Sequence, residues 1–478
     1  MASIAGLTTH QRDAFDLLVD NEAQKHHVPT LFAALAVDGV IVHSRSIAAP
    51  GHPTANEQSV YRIASMTKSF TAAAVLLLRD EGLLALDDPV SRFVPALANR
   101  VYESGNSPTI SIRHLLTMSA GFATDDPWAD RQLASTVAWF DQWLANGITA
   151  AFPPGVAMQY SNTGYALLGR VVAAAAGQSC QSLITDRLLV PLGMHRSAWT
   201  TAQLPDGTDV VSPYVTRDEQ IVPELAPLSD GVFAPMGGLW SSAKDIAAWT
   251  HFLSSAFADT ANDSILSPAS RREMQQVHRS FEPPPITELN GVVHQIGLGY
   301  GMGLNVLHHT GMGKVVAHSG GLPGYGSNMR WLPGRGIAVV AFGNTTYAPM
   351  SSLTAALLDS LHQNNAIPPS PITLDATLRH RIDELIELIN DWSPVAATAL
   401  FAENVHLDEP LERRAAAARA LSDTHGYLTA GQVTALSATE ADVVIESAGS
   451  PMTLSIQLSP EVPPRVQWYE IDVAAETD

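Results

Sequence analysis

The sequence holds a single cysteine, Cys180, among 478 residues, so no disulfide can form within the chain and no cysteine-based zinc site can be built. That lone thiol is expected to be buried and inert. Lysine is almost as scarce, with four (Lys25, Lys68, Lys244 and Lys314). Charged residues make up 15% of the chain, and 27 Lys and Arg are outnumbered by 47 Asp and Glu. The net charge of −20 repels polyanions and anionic lipid heads, which argues against nucleic acid and membrane surfaces as partners. Long apolar runs are missing too. Thr71–Leu78 and Val171–Ala176 fall far short of the ~20 residues that span a bilayer. Met1–Leu7 has no basic segment, and Asp13, Asp16, Asp20 and Glu22 stand where the apolar stretch of a secretory signal would sit. The expected location is the cytoplasm.

What is present is a globular composition, 46% apolar, with length for about two or three domains. Apolar spacing predicts a helix over Thr9–His26. Apolar runs Leu31–Val37 and Val40–Val42 around Asp38-Gly39 then predict a hairpin. A buried helix is expected to open at Ser65 and stop near Gly82, with further helices at Ile110–Ser119, Asn162–Ala176, Gln181–Leu189 and Lys244–Phe252. From Gly299 to Asn344 the pattern turns to short strands: Gly299–Val306, Lys314–His318, Met329–Leu332 and Gly336–Gly343. An α+β fold follows, in which the N-terminal hairpin and these strands complete one antiparallel sheet with helices against it. The proline-rich stretch 367–374 is expected to be a stiff linker between a first domain, 1–366, and a small α+β domain, 375–478. In the latter, Leu378–Trp392 reads as an amphipathic helix, and Asp442–Glu446, Met452–Leu458 and Arg465–Ile471 as strands.

No G-x-S-x-G, H-E-x-x-H or Walker pattern occurs, so the α/β-hydrolase, zinc-protease and phosphate-cradling chemistries lack support. Ser-x-x-Lys occurs twice. With 39 serines and four lysines, chance predicts about 0.3 matches. Ser241-Ser242-Ala243-Lys244 is followed by Asp245 and an apolar helical run, so a helix cap explains it. Ser65-Met66-Thr67-Lys68 instead opens a strongly apolar helix, where a lysine is costly unless it has a task. Positions i and i+3 share a helix face, so Lys68 can reach Ser65, and a lysine with a lowered pKa can activate a serine. Downstream stands Tyr160-Ser161-Asn162, at a turn leading into a helix. A tyrosine beside a lysine ionises more easily, and Asn162 can orient Lys68 or a substrate. A third element, His318-Ser319-Gly320-Gly321, ends a strand-like run, with glycines that allow close backbone approach. His309-Thr310-Gly311 is a second match, but pairing across a hairpin would put it ~13 Å from His318 at 3.3 Å per residue. Only one of the two can line a small site.

Ser65-x-x-Lys68, Tyr160-x-Asn162 and His318-x-Gly320, in this order, resemble the three motifs of the serine β-lactamase/penicillin-binding-protein superfamily. The pattern is nearest the class C β-lactamase-like branch, with its family VIII-type esterases, D-aminopeptidases and D,D-carboxypeptidases. Tyr61-Arg62-Ile63-Ala64, Pro191-Leu192-Gly193-Met194 and Gly237-Gly238-Leu239 add to the likeness, which covers roughly residues 10–360. The resemblance implies an antiparallel sheet flanked by helices with an all-helical subdomain, and for the tail a cystatin-like domain. It implies that Ser65 is acylated, that Lys68 and Tyr160 shuttle its proton, and that Asn162 orients Lys68 and substrate. Backbone N–H groups of Ser65 and Gly321 would form the oxyanion hole, and His318 and Gly320 would line the substrate.

His318 stands where many relatives carry a lysine that holds a substrate carboxylate. A mostly neutral imidazole does this less well. The expected function is therefore a cofactor- and metal-free serine hydrolase that cleaves small esters or amides through an acyl-enzyme. A D-aminopeptidase or D-amino-acid amidase, a β-lactamase or penicillin-recognising sensor, and a transacylase remain alternatives. The partner is a small-molecule ester or amide, and a homo-oligomer is left open.

Overall fold

The computed structural model describes residues 7–97, 109–218, 220–224, 229–258, 264–280, 297–309, 311–367, 374–447 and 452–473. The chain divides into two compact units, Met1–Pro369 and Ser370–Asp478. Most of the expected proline-rich linker, residues 368–373, lies outside the described residues.

The first unit is built on one antiparallel sheet. Its strands are β1 (Thr30–Val37), β2 (Val40–Ala48), β3 (Arg279–Ser280), β4 (Gly297–Tyr300), β5 (Asn305–His309), β6 (Gly313–Leu322), β7 (Tyr325–Leu332) and β8 (Ile337–Gly343). Their spatial order is β2-β1-β8-β7-β6-β5-β4-β3. The hairpin between β1 and β2 turns on Asp38 and Gly39, both at positive φ, as the Asp-Gly signal requires. β1 then pairs along its length with β8, Leu31 opposite Gly343 and Val37 opposite Ile337, so the two ends of the unit close one sheet, as expected from the sequence.

β1 shows why its run is unbroken. Leu31, Ala33 and Leu35 face one layer with Val339 and Ala341, while Phe32, Ala34 and Ala36 face the other with Val340 and Phe342. Side chains alternate along a strand, so burial on both faces demands apolar residues at every position. Helices α1 (Thr9–Lys25) and, late in the chain, α5 (Met350–Gln363) cover the first face through Phe15, Val19, Leu353 and Leu357. The second face carries α2 (Thr67–Asp80) and α4 (Ala243–Ser254), whose Phe70 and Trp249 rings stack at 4.0 Å. Between them in sequence, α3 (Asn162–Ala176) begins at a Ser161 cap and ends at Gly177, at φ 70°. Ser242 caps α4 by accepting from Asp245 N–H, and Lys244 is exposed, so the second Ser-x-x-Lys match is a helix start. Cys180 is buried, and burial pushes its thiol up to about 12.

The second unit packs α6 (Ala376–Asn390) on a four-stranded antiparallel meander: β9 (Thr429–Ala435), β10 (Glu440–Glu446), β11 (Met452–Leu458) and β12 (Val466–Val473). Leu378, Ile382 and Leu385 meet Val443, Leu454 and Ile456 in its core. β9 goes beyond the three strands read from the sequence. It is an edge strand whose residues are exposed or half-buried, so it shows little of the apolar alternation that marked the others.

Candidate active site

The path into Ser65 is tightly fixed. The strand Val60–Arg62 pairs with Trp240–Ser242, and Ile63 N–H donates to Leu239 C=O at 3.0 Å. Ala64 then takes φ 49°, a left-handed conformation that costs a non-glycine residue energy and often marks a functional turn. A 3-10 turn, Ala64–Met66, carries Ser65 and leads into α2, which starts at Thr67 rather than at Ser65 itself. Strand β6 presses on this turn. A Cβ on Gly320 would lie 2.2 Å from both Ile63 O and Ser327 Oγ, so only glycine fits there.

One turn along, Lys68 is fully buried. Its Nζ donates to Ser65 Oγ at 2.8 Å, Asn162 Oδ1 at 2.6 Å and Met236 C=O at 2.7 Å, which uses all three ammonium protons. All three acceptors are neutral. Burial is the largest influence on the amine and outweighs the pull of Asp126, Asp130 and Asp125, so its pKa falls to about 8. Tyr160 lies beside it, with Nζ 4.9 Å from the ring centroid. Burial, aided by Asp126, pushes this phenol well above its ordinary value. The amine ionises near neutrality and the phenol does not.

Asn162 is held from both ends. Its Oδ1 faces Lys68, and its Nδ2 donates to Asp126 Oδ1 at 2.6 Å. Asp125 receives the N–H groups of Asn162 (2.7 Å) and Thr163 (2.8 Å), so a carboxylate caps the positive end of α3. Burial raises the Asp126 pKa, and it holds that of Asp130 at about 7.

His318 is buried, and both its nitrogens are engaged. Nδ1 lies 2.6 Å from the Ser319 carbonyl, which can only accept, so Nδ1 carries the proton. Nε2 lies 3.2 Å from the Tyr300 hydroxyl. Burial, reinforced by Lys68, lowers the imidazole pKa to about 3, so the ring is neutral and Nε2 accepts the Tyr300 proton. The wiring leaves His318 no free N–H for a substrate carboxylate. Past Ala317, β6 pairs with β7 alone, since its pairing with β5 ends at Ala317 and Asn305. His309 is 3.3 Å from Asp359 on α5, on the face away from Lys68.

Ser65, Lys68, Tyr160, Asn162, His318 and Gly320 thus gather around one amine, with Gly321 next along β6. Sequence reasoning did not single out Met236, Asp125, Asp126, Asp130, Tyr300 or Tyr347. Asp125-Asp126-Pro127 had a local signal, since acids just ahead of an N-terminal proline mark a helix start. The Met236 contact is a backbone carbonyl and has no residue signature.

The Beta-lactamase family profile matches residues 15–363, and the chain belongs to that family. The superfamily comprises serine hydrolases that work through an acyl-enzyme, penicillin-binding proteins among them. Penicillin-binding protein 4 of Amycolatopsis lactamdurans is 28% identical over 342 residues, covering 70% of this chain and 84% of that one. A penicillin-binding protein of Bacillus subtilis (strain 168) is 27% identical over 290 residues, 57% of each chain. Protein flp of Staphylococcus aureus (strain MW2) is 27% identical over 359 residues, 72% of this chain and 65% of its own. The chain therefore spans less than two thirds of the length of the last two. Among solved structures, an octameric penicillin-binding protein homologue from Pyrococcus abyssi is similar over 97% of this chain and 96% of its own, at TM-score 0.62 and 22% identity. A D-stereospecific amidohydrolase from Streptomyces is similar over 72% of this chain and 98% of its own, at TM-score 0.57 and 21% identity. Both likenesses concern the fold. No helix among the described residues is long and apolar enough to cross a membrane.

Proposed function

We propose that the protein cleaves small esters or amides by two-step acyl transfer on Ser65. The observation that carries this is the buried Lys68 amine, 2.8 Å from Ser65 Oγ with its pKa lowered to about 8. Once Lys68 is neutral, it takes the Ser65 proton as Oγ bonds to the substrate carbonyl carbon. The carbonyl oxygen becomes an oxyanion, held by the N–H groups of Ser65 and Gly321. Tyr160 stays protonated beside Lys68, which suits it to pass a proton to the departing alcohol or amine. Water then enters by the same route in reverse and releases the acid. Gly320 lets β6 approach Ser65, and Asn162 keeps the amine aimed.

His318 supports ester and amide substrates over β-lactams, because neither imidazole nitrogen is free to donate to a carboxylate. A second reading, an amidase for substrates bearing a free amine, is favoured by Asp126 and Asp130, half-buried and buried acids near Lys68.

The test is the initial rate of p-nitrophenyl butyrate hydrolysis by the parent protein and by Ser65→Ala. Sustained turnover that falls about 10³-fold or more in the variant is expected. Absence of turnover in the parent, or its survival in the variant, removes the proposal. D-alanine p-nitroanilide and its N-acetyl form, run alongside, decide the second reading: a preference for the free amine selects it.

A further inference from the structure

We propose that Tyr347 sets the size of the substrate group accepted beside Gly321, and that its hydrogen bond to Asp130 fixes it there as a wall. This rests on the acyl-transfer reading of Ser65. Tyr347 follows β8, where the chain folds back over β7 and Tyr347 N–H donates to Tyr325 C=O at 3.2 Å. Its φ is 54°, a second non-glycine residue held in the left-handed region around this site. The ring lies against Gly321: a Cβ on that glycine would be 2.6 Å from Tyr347 Cδ1. Yet Tyr347 is 50% exposed, so it offers surface beside the residue whose N–H is proposed to hold the oxyanion.

The far end of the ring is tied down. The Tyr347 hydroxyl donates to Asp130 Oδ2 at 2.7 Å, and Asp130 is 3% exposed. Asp130 closes the short helix Asp126–Ala129, whose Asp126 holds the Asn162 amide. Tyr347 is thus anchored on the sheet by its backbone and on the helical side by its hydroxyl. Arg131, next to Asp130, reaches Glu224 at 3.6 Å, just past the hairpin of Tyr214–Arg217 and Gln220–Pro223, whose Tyr214 N–H donates to Asn344 C=O at 3.0 Å. The hydroxyl proton is committed to Asp130, so a substrate meets ring carbon here rather than a donor. A rigid apolar wall admits a short uncharged chain and collides with a long one.

The experiment compares covalent labelling of Ser65 by ethyl-chain and decyl-chain alkyl fluorophosphonates, followed by intact mass and located by peptide mass. In that reaction Ser65 Oγ bonds to phosphorus, the P–F bond breaks, fluoride leaves, and the hydroxyl proton passes to Lys68. The parent is expected to favour the short reagent. Tyr347→Ala should raise the long-to-short rate ratio roughly 10-fold. Tyr347→Phe keeps the ring but loses the tie and should raise it about 3-fold, while Asp130→Asn keeps an acceptor and should stay within about twofold. An unchanged ratio in Tyr347→Ala overturns the wall, and a Tyr347→Phe ratio equal to the parent's overturns the role of Asp130. Should the alanine variant fail to fold, Tyr347→Leu, which removes the ring but keeps an apolar side chain, is read in its place, and an unchanged ratio there overturns the wall. Labelling of Ser65 without ester turnover defeats the hydrolase reading but still tests Tyr347. No labelling by either reagent overturns both.

Discussion

The two units of the chain bury different kinds of side chain. Among the described residues of the second unit, Ser459 is the one buried polar side chain, and its core of Leu378, Ile382, Val443, Leu454 and Ile456 is purely apolar. The first unit buries Lys68, Asn162, Asp130, His318 and several arginines. Burying a polar group costs energy unless it is bonded, so each of these needs a reason. Some are structural: Arg271 reaches the Phe252 carbonyl, and Asp245 holds Arg196 N–H at 2.8 Å. What sets the site apart is convergence on groups with movable protons. Lys68 is held near its ionisation point among neutral acceptors, with a phenol and a neutral imidazole close by. Burial of charge alone would not single out the proposed site; the shared network does.

The largest effect expected to test that contrast is at Lys68 itself. Lys68→Met keeps the length and removes the proton acceptor, and should lower kcat/KM for p-nitrophenyl butyrate about 10³-fold or more with the fold intact by circular dichroism. The pH profile sharpens it. Burial lowers the Lys68 pKa, so the neutral, proton-accepting amine appears as pH rises through about 8. The parent rate should climb to a plateau there. A profile flat from pH 6 to 10 would assign the base role elsewhere.

A smaller effect is expected one residue further out. Tyr300→Phe removes the proton that Tyr300 offers to His318 Nε2. The neutral imidazole loses a donor, so its pKa should rise from about 3, and kcat/KM should fall about 10-fold, or ~1.4 kcal/mol. Nitrogen-15 shifts of His318 across a pH titration report this directly. A lower melting temperature with an unmoved His318 titration would reduce Tyr300 to a packing residue.

These outer residues also mark how far the sequence could be read. The Asp38-Gly39 turn, the Ser161 and Gly177 ends of α3, and the Ser65 to Lys68 contact are all local. Each depends on residues within about one helical turn, where geometry follows from backbone rules. Apolar runs buried on both faces made β1 and β8 legible as well. Tyr347 and Asp130 are 217 residues apart, and Asn162 and Asp126 are 36 apart, joined by loop paths with no periodicity. His318 was legible as a position and as a mostly neutral imidazole, but not in its hydrogen bonds to Ser319 and Tyr300. Its depressed pKa comes from burial and from Lys68, 250 residues back in the chain.

The smallest effect on activity should come from the second unit, and it probes the contrast from the other side. Leu454 is fully buried on the central strand β11 among Ile382, Val443 and Ile456. Leu454→Ala removes about three carbons from that core and leaves a cavity, which costs about 2–5 kcal/mol. The loss should appear as an earlier urea transition in the unit that carries it. That core and the Lys68 network belong to different compact units, so kcat/KM for p-nitrophenyl butyrate in the absence of denaturant should stay within about twofold of the parent. A large drop in kcat/KM would mean that the second unit's packing is coupled to the site. A purely apolar core would then be doing more than holding its own unit together.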